Sequence, residues 1–229
     1  MAQAKATPDT KTKLLDASLQ VIRSKGYAAT SVDDLCRAAG VTKGAFFHHF
    51  KSKEDMAVAS AAHFGAMAEG LFSHAGYRDL ADPLDRLLGY VDLRKSILQG
   101  EVSQFTCLLG TMVQEAYETN PAIRAACDQY ISAHAATVEA DIAEVMRVRG
   151  MAPGWTASSL ALYIQSVLQG AFILAETKNG LTVTLQSKLR VDEEGMGGEA
   201  GADILPDADD KVFALVKVSA EHCTYFYGK

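Results

Sequence analysis

The stretch Thr30-Ser31-Val32-Asp33-Asp34-Leu35-Cys36-Arg37-Ala38-Ala39-Gly40-Val41-Thr42-Lys43-Gly44-Ala45-Phe46-Phe47-His48-His49-Phe50-Lys51-Ser52-Lys53-Glu54 decides the fold. Thr30 with Asp33 and Ser31 with Asp34 read as two overlapping capping boxes, so a short helix is expected from about Val32 to Ala39, closed by Gly40. Thr42 then acts as a new N-cap for a second short helix running to about His49. Helix, glycine-containing turn and helix is the helix-turn-helix arrangement, in which the second helix enters a DNA major groove. Ser52 caps a long fourth helix to about His74, with Met56, Phe64, Met67, Leu71 and Phe72 expected on its inward face.

Outward from this stretch the pattern stays helical. Upstream, residues 10–25 place Leu14, Leu15, Leu19, Val21 and Ile22 at helical spacing, and Gly26 ends the run. Downstream, helices are expected over about 83–99, 103–118, 121–149 and 155–177. The third carries Ile123, Cys127, Tyr130, Ile131, His134, Val138, Ile142 and Val145 near one stripe. After residue 178 the texture changes. Gly180 to Leu185 alternates with period two, residues 192–201 are acidic and glycine-rich, and Val212–Val218 and Thr224–Tyr227 are β-branched and aromatic. A helix over about 208–222 fits as well, because Val212, Phe213, Val216, Ala220 and Cys223 share a face. The expected tail is irregular, with strand and helix both open.

The 229 residues suffice for a sizeable core, and 48% hydrophobic with 22% charged residues excludes a disordered or collagen-like chain. No uninterrupted apolar run reaches the roughly 20 residues of a membrane span. The longest, Ala157 to Ala175, is broken by Ser158, Ser159, Gln165, Ser166 and Gln169. The first nine residues lack the apolar core of a signal peptide, so a soluble cytoplasmic protein with no membrane partner is expected. Cys36, Cys107, Cys127 and Cys223 lie far apart, which argues against a zinc site and a disulfide framework. The net charge of −6 is uneven. Residues 1–53 hold nine Lys and Arg against four Asp and Glu, and the remainder holds thirteen against twenty-four. A basic head on an acidic body fits a DNA-binding module joined to something else.

With helix 1, its glycine stop, the capped helix 2, the Ala39-Gly40-Val41 turn and the His48-His49-Phe50…Lys53-Glu54 ending in register, residues 8–68 resemble the N-terminal domain of TetR-family transcriptional regulators. The resemblance implies an all-α homodimer, with a three-helix helix-turn-helix domain over 8–68 and a helical effector-binding and dimerisation domain over 69–178. Residues 179–229 form an atypical segment. Each head would read half of a palindromic double-stranded operator, and a small-molecule effector would move the heads apart. No catalysis and no cofactor are expected.

The residues support those implied roles. Thr30, Ser31 and Thr42 bring hydroxyls and free backbone N–H groups to helix N-termini, where phosphate binds. Lys43 reaches a base edge or phosphate, Gly44 lets backbone approach the groove, Ala45 meets a thymine methyl, and His48 lies one turn on. Phe46 and Phe50 read as core, and the family uses a lysine at the position of Lys53 against phosphate. One departure stands out. The family usually has tyrosine where this chain has Phe47, so one phosphate hydrogen bond is lost. The tail departs too, since a leucine-rich second interface helix is expected where this chain is acidic and glycine-rich.

Other features carry plain readings beside sharper ones. Adjacent histidines on a helix point about 100° apart, so His48 and His49 do not chelate a metal together. Gly195 to Ala200 fits a loose G-x-G-x-x-A string, but without a βαβ unit it reads as an acidic loop. The rival to a regulator is an enzyme or nucleotide-binding module with an incidental three-helix head, and no H-E-x-x-H, G-x-S-x-G or P-loop string supports it. Cys107 is either a small core side chain or a redox- or electrophile-sensing thiol, with no basic neighbour in sequence. Phe64, Met67, Phe105, Met112, Tyr117, Tyr130, Trp155, Tyr163 and Phe172 are numerous enough to line an apolar effector pocket, with His134 as a packed or contacting residue. Leu160, Ile164, Val167, Leu168, Ala171 and Leu174 form an apolar stripe expected at the dimer interface, where Gly170 permits close approach.

Overall fold

The computed structural model describes residues 9–177 in full and the backbone alone of 184–191, 212–220 and 223–224. The helices are α1 (Thr10–Lys25), α2 (Val32–Ala39), α3 (Lys43–His49), α4 (Lys53–Ser73), α5 (Pro83–Ser96), α6 (Val102–Phe105), α7 (Leu108–Ala116), α8 (Pro121–Arg149) and α9 (Ala157–Thr177), with a 3-10 turn at Gly76–Asp79 before α5. Local chemistry sets their ends. Asp9 accepts the Thr12 N–H at 2.7 Å to start α1, and Asp82 accepts the Leu84 N–H at 2.8 Å to start α5. Gly26 ends α1 at φ 85°, a conformation that only glycine adopts without strain.

The described helices divide into two units, one of residues 9–73 with 106–133 and one of 74–105 with 134–177. In the first, Leu14 and Leu15 of α1 meet Leu35 and Cys36 of α2, Phe46 of α3, Phe50 and Met56. The next turns of α1, Leu19 and Ile22, join Tyr27, Ala57 and Ala61 of α4, Leu108 and Met112 of α7, and Ile123 and Cys127 of α8. Each fully buried large side chain here contributes about 1.5–3 kcal/mol. Polar clips bind α7 to the end of α1. The Glu115 carboxylate accepts the Ala28 N–H at 2.6 Å, and Arg23 Nη1 donates to the Thr106 carbonyl at 3.3 Å. A side chain on Gly26 would collide with that carboxylate.

In the second unit, Leu87 and Tyr90 of α5, Val138, Ile142 and Val145 of α8, and Ile164, Leu168 and Phe172 of α9 are buried. Asp141 is only 8% exposed, and its charge is met by Arg78 at 2.6 Å and Arg86 at 3.7 Å.

Three sequence expectations are corrected. The helix expected over 103–118 is broken into α6 and α7, because Cys107 takes an extended conformation (φ −85°, ψ 115°) as the residue before α7. On α4, Met56 and Phe72 are buried as expected, but Met67 and Leu71 are 52% and 45% exposed. The inward contact of that helix is made through the small residues Ala57, Ser60 and Ala61. On α9, Ile164, Leu168 and Ala171 of the expected interface stripe are covered by their own chain, with Leu160 and Val167 half-buried. The apolar face left in solvent is Leu162, Tyr163, Ile173 and Leu174. Of the expected stripe, Leu174 alone lies fully on it, because helical spacing reports an apolar side but not which neighbour covers it.

By length and composition α9 is long and apolar enough to cross a membrane. Its face bearing Ile164, Gln165 and Leu168 is buried in the protein. Beyond α9, β1 (Thr184–Val191) pairs antiparallel with β2 (Val212–Ala220), Thr184 opposite Ser219 and Val191 opposite Val212, and β3 (Cys223–Thr224) pairs with the end of β2. Of the two options for 212–220, the backbone takes the strand. Gly195 to Ala200 and Tyr225 to Tyr227 lie outside the described residues.

Candidate nucleic-acid interface

The turn between α2 and α3 is fixed by its own backbone chemistry. Ser31 and Asp34 form a reciprocal capping box at the start of α2. At its end Gly40 is left-handed (φ 67°, ψ 36°), and the Val41 N–H reaches the Cys36 carbonyl at 2.9 Å. The Thr42 hydroxyl accepts the Ala45 N–H at 3.2 Å and starts α3 at once. Phe46 and Phe50, 0% and 3% exposed, anchor α3 in the core, as the sequence predicted. What remains outward is Lys43, Gly44, Phe47 and His48, with Ala45 half-buried at their edge.

This face is polar, cationic and partly aromatic. The Phe47 ring is 56% exposed and stands edge-on to Phe46 at 5.2 Å, so it faces solvent rather than the core. Lys43 Nζ pairs with Asp33 at 2.8 Å, and that hydrogen bond raises the lysine's pKa above its ordinary value. A side chain added at Gly44 would meet only Thr42 Oγ1, at an ordinary 3.7 Å. The protein itself therefore makes no demand for glycine there. His48 is exposed and His49 half-buried, stacked edge-on at 4.9 Å.

Two expected contact residues are placed elsewhere. Thr30 is 2% exposed, and its hydroxyl donates to the Gly26 carbonyl at 2.6 Å, so it closes the α1–α2 loop rather than capping α2 with Asp33. Lys53 is also turned inward. Its Nζ donates to the carbonyls of Tyr27 at 3.0 Å and Thr30 at 3.0 Å and sits 4.3 Å from the Tyr27 ring centroid. An ammonium held by carbonyls and a ring face is a loop clamp. No sequence motif announces it, because the partners lie 23 and 26 residues away.

The residues expected to line a pocket divide between the two units. Phe64, Met112 and Tyr130 share the core of the first, where the Tyr130 ring lies directly on Gly65, while Met67 and Tyr117 are exposed. In the second, Phe105 lies 6.5 Å from Phe172, Tyr163 is exposed, and His134 is hydrogen-bonded to its neighbours. Cys107 is half-buried at the start of α7, and the fold supplies the basic neighbour that the local sequence lacks. Arg23 binds the adjoining Thr106 carbonyl and lies within electrostatic range of the thiol. Cys127, by contrast, is buried, and desolvation pushes its thiol up to about 12.

Comparison with known proteins agrees with this geometry. Residues 14–59 match the family model for bacterial regulatory proteins, tetR family, and residues 83–183 match the C-terminal domain of LmrA/YxaF-like transcriptional regulators. The transcriptional regulator AcuR of Cereibacter sphaeroides is 29% identical over 102 residues, 44% of this chain and 47% of AcuR, so the match spans about half of that relative. The uncharacterised regulator YxaF of Bacillus subtilis is 22% identical over 77% of this chain and 90% of its own length. A TetR-family regulator from Agrobacterium tumefaciens superposes with TM-score 0.67 at 18% identity, over 76% of this chain and 90% of that one. With one model matched on the head and another on the body, and the fold shared with solved members, the chain belongs to the TetR family of bacterial transcriptional regulators.

Proposed function

We propose that the protein is a cytoplasmic, non-catalytic, ligand-responsive repressor that binds a palindromic operator as a homodimer and leaves it when a small molecule binds. The observation that carries this reading is the outward face of α3. Lys43, Gly44, Phe47 and His48 are held in the open by a fully packed scaffold. Residues 8–68 form the reading head and 69–178 the effector and dimerisation body, with 179–229 appended. Lys43 reads a base or phosphate, Ser31 and Thr42 offer helix N-termini to phosphate, and Phe47 and Ala45 make apolar contact in the groove.

The exposed side of α9 supports the homodimer. Leu162, Tyr163, Ile173 and Leu174 leave an apolar face in water, and nothing lies within 4 Å of a side chain added at Gly170. Two-fold pairing of α9 removes that face from water and matches the symmetry of a palindrome. Fluorescence anisotropy on duplexes from the upstream region of the protein's own gene tests the reading. Binding is expected to prefer a palindromic sequence and to weaken steeply with salt. Equal affinity for scrambled duplexes contradicts it. A second reading, response to electrophiles at Cys107, draws on the nearby Arg23. Under that reading Cys107 alkylates before Cys127 in intact-mass measurements, and alkylation releases DNA.

A further inference from the structure

The first turn of α2 carries two carboxylates, and the fold uses them differently. Asp34 completes the capping box with Ser31 and is paired with Lys25 at 2.7 Å and Arg37 at 3.4 Å. Asp33 takes no part in the cap, because Thr30, its expected partner there, is buried and donates to the Gly26 carbonyl. The Asp33 carboxylate instead reaches across the turn to the first residue of α3 and accepts from Lys43 Nζ at 2.8 Å. Both side chains are more than half exposed, so the pair adds little to stability. Its use has to be sought outside the fold.

A negative charge beside the outward face of α3 repels phosphate, whatever the base sequence. What it gives in return is order. Lysine is a point charge on a flexible four-carbon stem, able to settle on a phosphate of almost any duplex. Held from α2, the Lys43 stem gives up part of that freedom before DNA arrives. Its ammonium has three donors, and the bond to Asp33 engages one of them. In the major groove guanine presents two acceptors side by side, O6 and N7, whereas adenine sets an amino donor beside its N7. A steered ammonium can tell these two edges apart.

We propose that Asp33 is a positioning residue for sequence recognition, which holds the Lys43 ammonium toward a guanine edge in each half-site and penalises its contact with phosphate on other DNA. Specific interfaces gain discrimination from repulsion of the wrong partner as well as attraction to the right one. The inference rests on the operator-binding reading and deepens it, since it names the residue that makes Lys43 selective and the base selected.

The test uses the full chain, an operator recovered by selection from a randomised duplex pool, and a scrambled duplex. In the free protein the Asp33 bond raises the Lys43 pKa, and nuclear magnetic resonance titration of that side chain should show it return to the ordinary range in Asp33→Asn. On DNA, Asp33→Asn should lower the operator-to-scrambled affinity ratio by about fivefold or more, the lower end of what one good base contact is worth. Affinity for the scrambled duplex should rise, with a salt slope steeper by about one as Lys43 turns to phosphate. In a Lys43→Met background the same change should move the ratio by less than about twofold, as expected of a residue that acts through its neighbour. A merely structural role would weaken both duplexes alike and leave the ratio where it was. A Lys43 pKa indifferent to Asp33→Asn, an unmoved ratio, or an equal fall with and without Lys43 overturns the proposal and leaves operator binding standing. Failure of the wild type to enrich any operator refutes the operator-binding reading, and this proposal with it.

Discussion

α3 and α9 both turn large apolar side chains to water, and they do so on different terms. On α3 the exposed Phe47 sits among Lys43, Gly44 and His48, and Lys43 is already engaged by Asp33 at 2.8 Å. On α9 Leu162, Tyr163, Ile173 and Leu174 share an exposed face with no charged residue from Leu160 to Ala175. A mixed face suits a hydrated, anionic partner such as DNA, where phosphate contacts position and a few groups read bases. A continuous uncharged face suits a dry contact with a second copy of itself. The two faces therefore answer to different measurements.

The largest effect is expected on α9. Leu174→Glu places a charge in the proposed pairing face, so sedimentation should show monomers with unchanged helical circular dichroism. Operator affinity should fall by about 10²–10⁴-fold as the second head is lost. An undisturbed dimer would break the comparison. Truncations separate the two sides of the same helix. Leu168→Ala, in the covered face, should cost about 2–5 kcal/mol of stability, whereas Leu174→Ala should cost at most about 0.5 kcal/mol, by urea unfolding of protein held monomeric.

On α3 the effects are smaller and specific to DNA. Lys43→Ala should cost about 1–3 kcal/mol of binding and relax preference at one base pair. Lys53→Ala, in contrast, should lower stability and leave the salt slope of DNA binding nearly unchanged, because its ammonium clamps the α1–α2 loop. Gly44→Ala separates fold from function most cleanly. The free protein should be as stable as before or slightly more so, since Gly44 lies in the first turn of α3 with room for a methyl group, while DNA binding weakens. Phe47→Tyr should tighten binding by roughly 1 kcal/mol, since its exposed ring is placed to restore a phosphate hydrogen bond.

Acid is expected to act on the body. His134 is held neutral by burial and by the Arg94 and Arg78 charges, with its pKa down at about 3, against an ordinary 6.5. The unfolded chain takes up a proton there first, so stability present above about pH 6.5 is lost as pH falls toward 3. The slope from this group is at most about 1.4 kcal/mol per pH unit. His134→Gln should flatten the stability profile in that window.

The same comparison explains what could be read without the structure. The head was legible because its signals are local. Ser31 with Asp34, Gly40 and Thr42 each act within about four residues, and they fix both ends of α2 and the start of α3. Phe46 and Phe50 followed from spacing alone. Thr30 and Lys53 were misplaced because their partners are loop carbonyls that only the folded chain brings near. The break at Cys107 and the side of α9 that packs inward depend likewise on contacts made across the fold. Periodicity marked the apolar sides of α9 correctly as apolar, but the assignment of inside and outside came from Ala161, Ile164, Leu168 and Ala171 being covered by other elements.

Repeated selection of bound duplexes from a randomised DNA pool by the intact protein tests the central claim most directly. The account predicts an inverted repeat whose half-sites are centred about one helical turn apart, roughly 34–36 Å, or slightly more. Recovery of no enriched sequence, or of a single site without two-fold symmetry, would contradict it.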